Sequence, residues 1–476
     1  MEQILIFLTI IVVGVFVSVK SFHQKLNKLP WVGFLSFTAL NILLIFRWGG
    51  IWQLWSIHLT ISILMLEYLF ISLNHKKAFR VMIKFNRKLF LLCAYVSLCG
   101  LILFPVVTKV NHPNSDKPVG TWKMIVESTE REETLAQTNG LKRRFTVQLY
   151  YPIQNKSGKQ KKWFDGGNPS IKGLALSYGF PQMLVSHLKK VDSGAYLSRK
   201  IKLKDSPYQV VVISHGLKGS SDQYTQLAES LVEKGYFVAV INHAYSSYAT
   251  VFNQNDYILG AKSLAAQIDF IEQKIELEKQ ITLIQQGDLM ETFKVLDQIN
   301  QGNYDPIFKA QLDLSDMTLV GHQIGGGAVL VTLNQVPYVK TGILLNPIIE
   351  QIPKKYILEG SIKPVISLVS KDYVSSNNAT YLKRYMQGSK DALWIEAKLG
   401  KDLDMTDLNK VSTFFAFNGI SDGKKSSDRL IEAQVAIVDQ AIQKYSLGQI
   451  FEDIPQNLDS AHLGISILKP EAIDGK

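Results

Sequence analysis

The chain is poor in cysteine. Only two of its 476 residues are cysteine, Cys93 and Cys99, and both lie in one apolar segment near the N-terminus. The large C-terminal part contains no cysteine, so no disulfide stabilises it. This composition fits a cytosolic domain, and it also fits an exported domain of an organism that avoids extracellular thiols, so cysteine usage leaves the compartment open.

Acidic residues are scarce in the first 110 residues, which contain eleven Lys or Arg but only two acids, Glu2 and Glu67. Most of the formal net charge of +11 therefore belongs to this apolar region. The remainder is close to neutral and lacks a basic stripe with interleaved aromatic residues, which argues against nucleic acid as a partner.

Four apolar stretches approach the roughly 20 residues that a helix needs to cross a bilayer. The first lacks the basic n-region and the small-residue cleavage site of a signal peptide, so we predict that it is retained. The sequence thus predicts a membrane domain over residues 1–109 with four transmembrane helices, at about Ile4–Val19, Leu29–Phe46, Trp48–Leu73 and Leu89–Val107.

The orientation follows from two basic loops, Lys20–Lys28 and Lys76–Lys88, because positive loops stay in the cytoplasm. With four spans the large domain then lies outside, so we expect a multi-pass plasma-membrane protein in contact with membrane lipids. With three spans the domain would be cytoplasmic. His58 and Glu67 fall inside the third span, where each marks either a functional site or a contact with a neighbouring helix.

The remaining sequence alternates apolar strands with helical patterns. A linker at 110–120 precedes a domain at 121–448 and a C-terminal tail at 449–476. The alternation predicts an α/β fold, a mostly parallel sheet with helices on both faces. The predicted strands are Trp122–Ser128, Arg144–Tyr151, Gln209–Ser214, Phe237–Asn242, Met317–Val320, Gly342–Asn346, Val365–Ser370 and Leu393–Ala397.

The most informative segment is Leu319–Ala328, in which a short apolar strand meets a glycine-rich turn and a helix follows. This is the pattern of the G-x-S-x-G nucleophile elbow, where a strained turn presents a serine hydroxyl. Gln323 occupies the serine position. A carboxamide has no proton to lose to a general base, so it is no nucleophile.

Several stretches, in order and at suitable spacing, resemble the platelet-activating-factor acetylhydrolase-like branch of α/β-hydrolases, especially bacterial members with N-terminal membrane helices. The resemblance runs in pieces from about Pro118 to Gly448 and implies an α/β-hydrolase fold and carboxylic ester hydrolysis. The stretches are Pro118–Thr121, Val147–Pro152, Ile213–Leu217, Leu312–Leu314 and Gly321–Gly326.

By this resemblance the serine, aspartate and histidine of the catalytic triad fall on Gln323, Asn346 and Asp402, with Lys401 as an alternative for the last. All three positions depart from the family pattern. Gln323 cannot attack, Asn346 lacks the charge that would stabilise an imidazolium, and Asp402 has nothing to activate.

The oxyanion hole is built from backbone, so the resemblance implies that it persists. Its donors would be the amides of Leu217 and Ile324. Four further residues are expected to line the site: His215, Gly216, His322 and Gly325. No cofactor and no metal is predicted, and the glycine pattern matches neither a P-loop nor a dinucleotide fingerprint.

These features leave three functions open. The first is a membrane-anchored, catalytically degenerate hydrolase that binds a lipid, an acyl ester or an unknown protein partner. The second is an active ester or phospholipid acyl hydrolase with a non-standard triad, for which Ser214, Ser220 or Ser221 could pair with His215 or His322. The third is a membrane sensor or structural protein.

Overall fold

A computed structural model describes residues 6–8, 10–11, 29–48, 51–73, 79–107, 109–110, 117–136, 140–260, 271–448, 458 and 460–468. The chain divides into two compact units. The first is Met1–Val106 with Val411–Phe414, and the second is Val107–Lys410 with Phe415–Lys476. Most of the predicted first span, the centre of the predicted linker and the side chain of Glu67 lie outside the described residues.

The described part of the first unit includes three long helices, α1 (Pro30–Trp48), α2 (Trp55–Ser72) and α3 (Phe79–Leu103). Polar contacts join α1 to α2, because the ring Nδ1 of His58 lies 2.6 Å from Asn41 Oδ1 and the Asn41 amide donates to Ser62 Oγ at 3.1 Å. His58, predicted either to have a function or to contact a neighbouring helix, thus makes the interhelical contact.

One described helical segment, Trp52–Phe70, is long and apolar enough to cross a membrane by its length and composition. Pro30–Phe46 and Leu91–Leu103 are shorter apolar helices, in the positions of the second and fourth predicted spans. The four predicted spans are therefore supported at one position, and the full count stays a prediction.

The second unit contains an eleven-stranded sheet in the order β13-β12-β11-β10-β9-β5-β6-β2-β1-β4-β3, and a separate hairpin of β7 and β8. The strands are β1 (Val119–Glu132), β2 (Lys142–Pro152), β3 (Gln160–Lys162), β4 (Asp192–Leu197), β5 (Tyr208–Ser214), β6 (Phe237–Asn242), β7 (Thr250–Val251), β8 (Tyr257–Ile258), β9 (Leu312–His322), β10 (Val339–Leu345), β11 (Val365–Val369), β12 (Ala392–Ala397) and β13 (Ile465–Leu468).

The six strands from β12 to β6 run parallel, and they are the apolar runs that the sequence predicts. Alternate residues of β5 point to opposite faces, as strand geometry requires. Val210 and Val212 join the hydrophobic core on one face, and Val211 and Ile213 join the core on the other. Because both faces are covered, the central strands are apolar throughout.

Helices accompany the strands in the second unit. They are α4 (Asn168–Tyr178), α5 (Gln182–Val185), α6 (Thr225–Glu233), α7 (Ile271–Gln301), α8 (Ile324–Leu333), α9 (Lys354–Glu359), α10 (Asn377–Gly388), α11 (Phe414–Phe417), α12 (Lys424–Ala441) and α13 (Ser460–Leu463).

The C-terminal region differs from the sequence prediction. Residues 449–476 are predicted as a tail outside the hydrolase domain, but β13 lies within them and pairs antiparallel with β12. Its strand pattern, four residues long, is too short to be distinguished in the sequence from a polar tail.

Candidate functional site

The turn between β9 and α8 is strained at Gln323. This residue has φ 50° and ψ −119°, a conformation that side chains rarely adopt and that costs about 1–3 kcal/mol. Glycines make the turn possible, because a Cβ at Gly321 would overlap the backbone of Gly325 and Gly326. The elbow geometry predicted from the glycine pattern is therefore present, with a carboxamide at its apex.

The three residues that the resemblance assigns to the triad converge. Asp402 Oδ1 accepts a hydrogen bond from Asn346 Nδ2 at 2.9 Å, and Asp402 Oδ2 accepts one from Gln323 Nε2. Asn346 is held in turn by Ser370, whose hydroxyl accepts from the Asn346 amide at 2.7 Å and whose backbone N–H donates to Asn346 Oδ1 at 2.8 Å. Asp402 thus accepts hydrogen bonds from the residues at both of the other triad positions.

Asp402 has a third donor, which the resemblance does not assign. His322 Nε2 lies 2.9 Å from Asp402 Oδ1, and His322 Nδ1 lies 2.7 Å from the hydroxyl of Tyr224. Burial keeps the pKa of Tyr224 well above its ordinary value, so its hydroxyl stays protonated. With a hydrogen on Nε2, the imidazole donates to Asp402 while its other nitrogen contacts the Tyr224 hydroxyl.

The carboxylate of Asp402 is stable in its charged form. Burial alone would raise its pKa, but the nearby imidazole of His322 and the donations from His322, Asn346 and Gln323 outweigh burial, so the pKa is lowered. The side chain keeps 34% of its surface exposed, which allows solvent to weaken these interactions. Asp402 is therefore an ionised acceptor at neutral pH.

A small cavity of about 30 Å³ adjoins this cluster, enough for one water-sized group such as a carbonyl, so a chain attached to that group would lie outside the cavity. Gly216 and Leu217 form one wall, at the turn after β5. A Cβ at Gly216 would overlap the Gln323 carboxamide, so that side chain packs directly against the turn. The lining residues are Tyr178, Gly216, Leu217, Gly219, Gln223, Tyr224, His322, Gln323, Asp402, Leu403, Thr406 and Leu408.

The two amides predicted as oxyanion donors belong to segments next to the elbow turn. Leu217 follows the β5 turn, and Ile324 is the first residue of α8, so its amide has no carbonyl one turn earlier to bond with. Their side chains pack together in one apolar cluster. Both amides therefore belong to the segments that surround the Gln323 carboxamide.

Two of the residues predicted to line the site, His215 and Gly325, are not among the residues that line this cavity. The His215 ring is fully buried, with Nδ1 2.7 Å from the Gly216 carbonyl and Nε2 accepting from the His243 N–H at 3.0 Å. Burial, with His243 beside it, keeps the pKa of His215 well below its ordinary value. A Cβ at Gly325 would overlap the carbonyl of Ser214, so Gly325 serves close packing.

A second serine–histidine–aspartate array lies in the interior, and its pairing is not predicted from the sequence. Ser214 Oγ lies 2.9 Å from His243 Nε2, and His243 Nδ1 lies 2.9 Å from Asp288 Oδ2. All three side chains have no solvent exposure, and Ser214 does not line the cavity. Asp288 lies on α7 among many polar residues, and nothing in the sequence marks it as the acid that faces inward.

Two arginines neutralise this interior aspartate. Arg143 donates to both Asp288 oxygens, at 3.0 and 2.5 Å, and Arg131 donates to one at 2.8 Å. Burial would raise the pKa of Asp288, but Arg143 and the His243 contact hold it far below its ordinary value. Burial lowers the pKa of His243 despite this partner. A carboxylate that is shared with two arginines stabilises an imidazolium less than the aspartate of a working triad does.

The described residues contain no group of three or more His, Cys, Asp and Glu side chains with the geometry to hold a metal ion. The two arrays around Asp402 and Asp288 are rich in amide, hydroxyl and guanidinium donors. Such donors stabilise carboxylates by hydrogen bonding.

The sheet order, the elbow and the polar residues at the carboxyl ends of the strands define the class of protein, an α/β-hydrolase. A ferulic acid esterase from Streptomyces cinnamoneus has a similar fold, with a TM-score of 0.59 and 19% sequence identity, over 76% of this chain and 100% of that one. At this identity the similarity concerns the fold alone.

The family follows from the sequence itself. A family model described as platelet-activating factor acetylhydrolase, isoform II, matches residues 131–446, which is more than half of the chain. The chain therefore belongs to this family, as the resemblance predicts. No curated protein matches it.

Proposed function

We propose that this chain is a catalytically degenerate member of its family, anchored in a membrane with its hydrolase domain outside, that binds a lipid or an acyl ester without cleaving it. One observation carries the proposal: Gln323 and Asn346 both donate to Asp402, so an acceptor stands at the base position and no nucleophile at the elbow. The oxyanion amides and the family fold support retained binding of a carbonyl group.

Chemical inertness is tested on the full chain in a non-ionic detergent. We expect no labelling by a fluorophosphonate probe and no hydrolysis of p-nitrophenyl acetate above the detergent blank. Binding is tested with a non-hydrolysable acyl phosphonamide added to the same preparation. Probe labelling of any residue in 107–476 would contradict the proposal.

A reconstruction tests the assignment of positions. The triple variant Gln323→Ser, Asn346→Asp, Asp402→His should gain labelling at position 323, because it places a hydroxyl, an imidazole and a carboxylate where the three side chains now meet. Gln323→Ser alone is the matched control and should stay inert, since both nitrogens of the nearby His322 imidazole are already engaged, one by Asp402 and one by Tyr224. A folded triple variant that does not label would contradict the assignment.

A second candidate, an active hydrolase with a displaced triad, is favoured by the contacts of Ser214 with His243 and of His243 with Asp288. It requires an opening that exposes Ser214 to an ester. Mapping a labelled residue decides between the two, because labelling that disappears in Ser214→Ala would support the displaced triad. The fully buried serine makes us prefer the degenerate enzyme.

A further inference from the structure

A second and larger cavity, of about 570 Å³, lies next to the loop that carries Asp402 and shares no lining residue with the candidate site. It is formed by the segment between β12 and α12 and by the first turns of α12. The lining residues are Leu399, Lys401, Ala416, Gly419, Ser421, Asp422, Lys425, Ser426 and Arg429.

Three cations and one acid face this cavity. Lys425 and Arg429 are one turn apart on α12, where like charges destabilise a helix unless an anion lies between them. Lys401 donates to the Gly419 carbonyl, which leaves two of its three donors available. The acid is Asp422, which accepts from the Gly400 N–H at 2.8 Å. The cavity wall is therefore cationic.

The N-terminus of α12 adds backbone donors. The helix is 18 residues long, its cap residue Gly423 provides no side-chain hydrogen bond, and its first turn contains no acid. The Ser426 and Ser427 amides donate to the Gly423 carbonyl, so the first-turn amides that remain to face an anion are those of Lys424 and Lys425, and the helix dipole adds to them.

A buried hydroxyl on the wall points independently to a ligand. Ser426 retains 7% of its surface, and among the described residues its Oγ has no hydrogen-bond partner. Buried polar atoms are nearly always paired, so this hydroxyl, on a residue of the cavity wall, is a donor still available to a bound group.

From these features we infer that the cavity binds a phosphate ester, whose oxygens accept from ammonium, guanidinium, hydroxyl and backbone donors together. Apolar side chains in the same segment favour an amphiphilic source, a phospholipid headgroup, over a soluble phosphate. Leu399, Phe417 and Ile420 leave 54%, 83% and 50% of their surfaces exposed. This is a different cavity from the candidate site, so the inference stands or fails separately from the proposed function.

The test uses the full chain in a non-ionic detergent and isothermal titration calorimetry with three probes: inorganic phosphate, dioctanoyl phosphatidylglycerol, and dioctanoylglycerol, which has the same tails without phosphate. The double variant Lys425→Gln, Arg429→Gln removes two cations of the wall. Lys424→Gln is the matched control, because Lys424 is an exposed lysine of the same helix turn that does not line the cavity.

We expect the double variant to weaken phosphatidylglycerol binding about tenfold or more, as the loss of two charge-assisted contacts predicts, and the control to change it less than about twofold. Tighter binding of phosphatidylglycerol than of inorganic phosphate supports the lipid headgroup, and equal binding of both supports a soluble phosphate ester. Equal affinities of the double variant and the control, or dioctanoylglycerol binding as tightly as phosphatidylglycerol, would overturn the inference.

Discussion

Replacing Arg143 by methionine should destabilise the hydrolase domain more than any surface charge change nearby. Arg143 is 1% exposed and bridges two buried carboxylates, with Asp288 at 2.5 Å and Glu133 at 2.6 Å. It also donates to the Ala244 carbonyl at 3.1 Å. Methionine fills similar volume but provides no donor, so both acids lose a partner.

The expected loss of unfolding free energy depends on which hydrogen bonds Asp288 and Glu133 keep after Arg143 is replaced. Breaking a buried ion pair by removing one partner costs about 3–5 kcal/mol, because the other charge stays buried. Arg131 still donates to Asp288 at 2.8 Å, and Glu133 still accepts from the Leu135 N–H at 2.9 Å. Because these contacts remain, we expect the free energy of unfolding to fall by about 3 kcal/mol, the lower end of that range.

The neighbouring residue supplies the control. Arg144 is 33% exposed and pairs with Asp256, which is 44% exposed, at 2.6 Å, so Arg144→Met should cost at most about 1 kcal/mol. The assay is urea unfolding of the full chain in detergent, followed by near-ultraviolet circular dichroism. If the two variants lost the same unfolding free energy within about 0.5 kcal/mol, the interior charge network would not act as described.

Three further predictions concern the two arrays. Gly216→Ala should lower the unfolding free energy by about 1–3 kcal/mol, measured by the same urea assay, because the new methyl overlaps the Gln323 carboxamide. Asp402→Asn should remove stability that the wild type has above about pH 4 and loses as the pH falls through the lowered pKa of Asp402, so the two proteins should converge in acid. Because the folded-state pKa of His243 is lowered, the unfolded state protonates first, and stability should decline as the pH falls below about 6.5. His243→Asn should flatten that decline, and an unchanged slope would contradict it.

Some of the fold can be predicted from the sequence because runs of apolar residues indicate which segments are buried. The strand at Phe237–Asn242 has the same bounds in the sequence prediction and in the structure, since it is an unbroken apolar run between polar turns. The strands at 160–162 and 192–197 are not predicted. They lie at the sheet edge and carry polar side chains such as Lys161, Lys162 and Asp192, which the pattern assigns to loops.

Only the backbone features of the site, its turn and its strand ends, can be predicted from the sequence. Glycine spacing identifies the turn at Gln323, and strand ends identify Asn346, because both depend on local chain geometry. Tyr224 and Asp288 reach their partners across 98 and 45 residues of sequence. Contacts of that separation depend on tertiary packing, and one tyrosine or acid among many on a helix gives no sign that it turns inward.

The three residues that the resemblance assigns to the triad form one polarity pattern. In a working triad the central imidazole accepts from the serine and donates to the carboxylate. Here the side chains on both sides, Gln323 and Asn346, are donors, and Asp402 between them is an acceptor without a proton. Each single return to the family residue breaks this match, since Asn346→Asp would set two carboxylates against each other and Asp402→His would leave only one acceptor nitrogen for several donors. Under the proposed function, a stepwise recovery of catalysis would pass through mismatched intermediates, which gives a physical reason for this arrangement to persist.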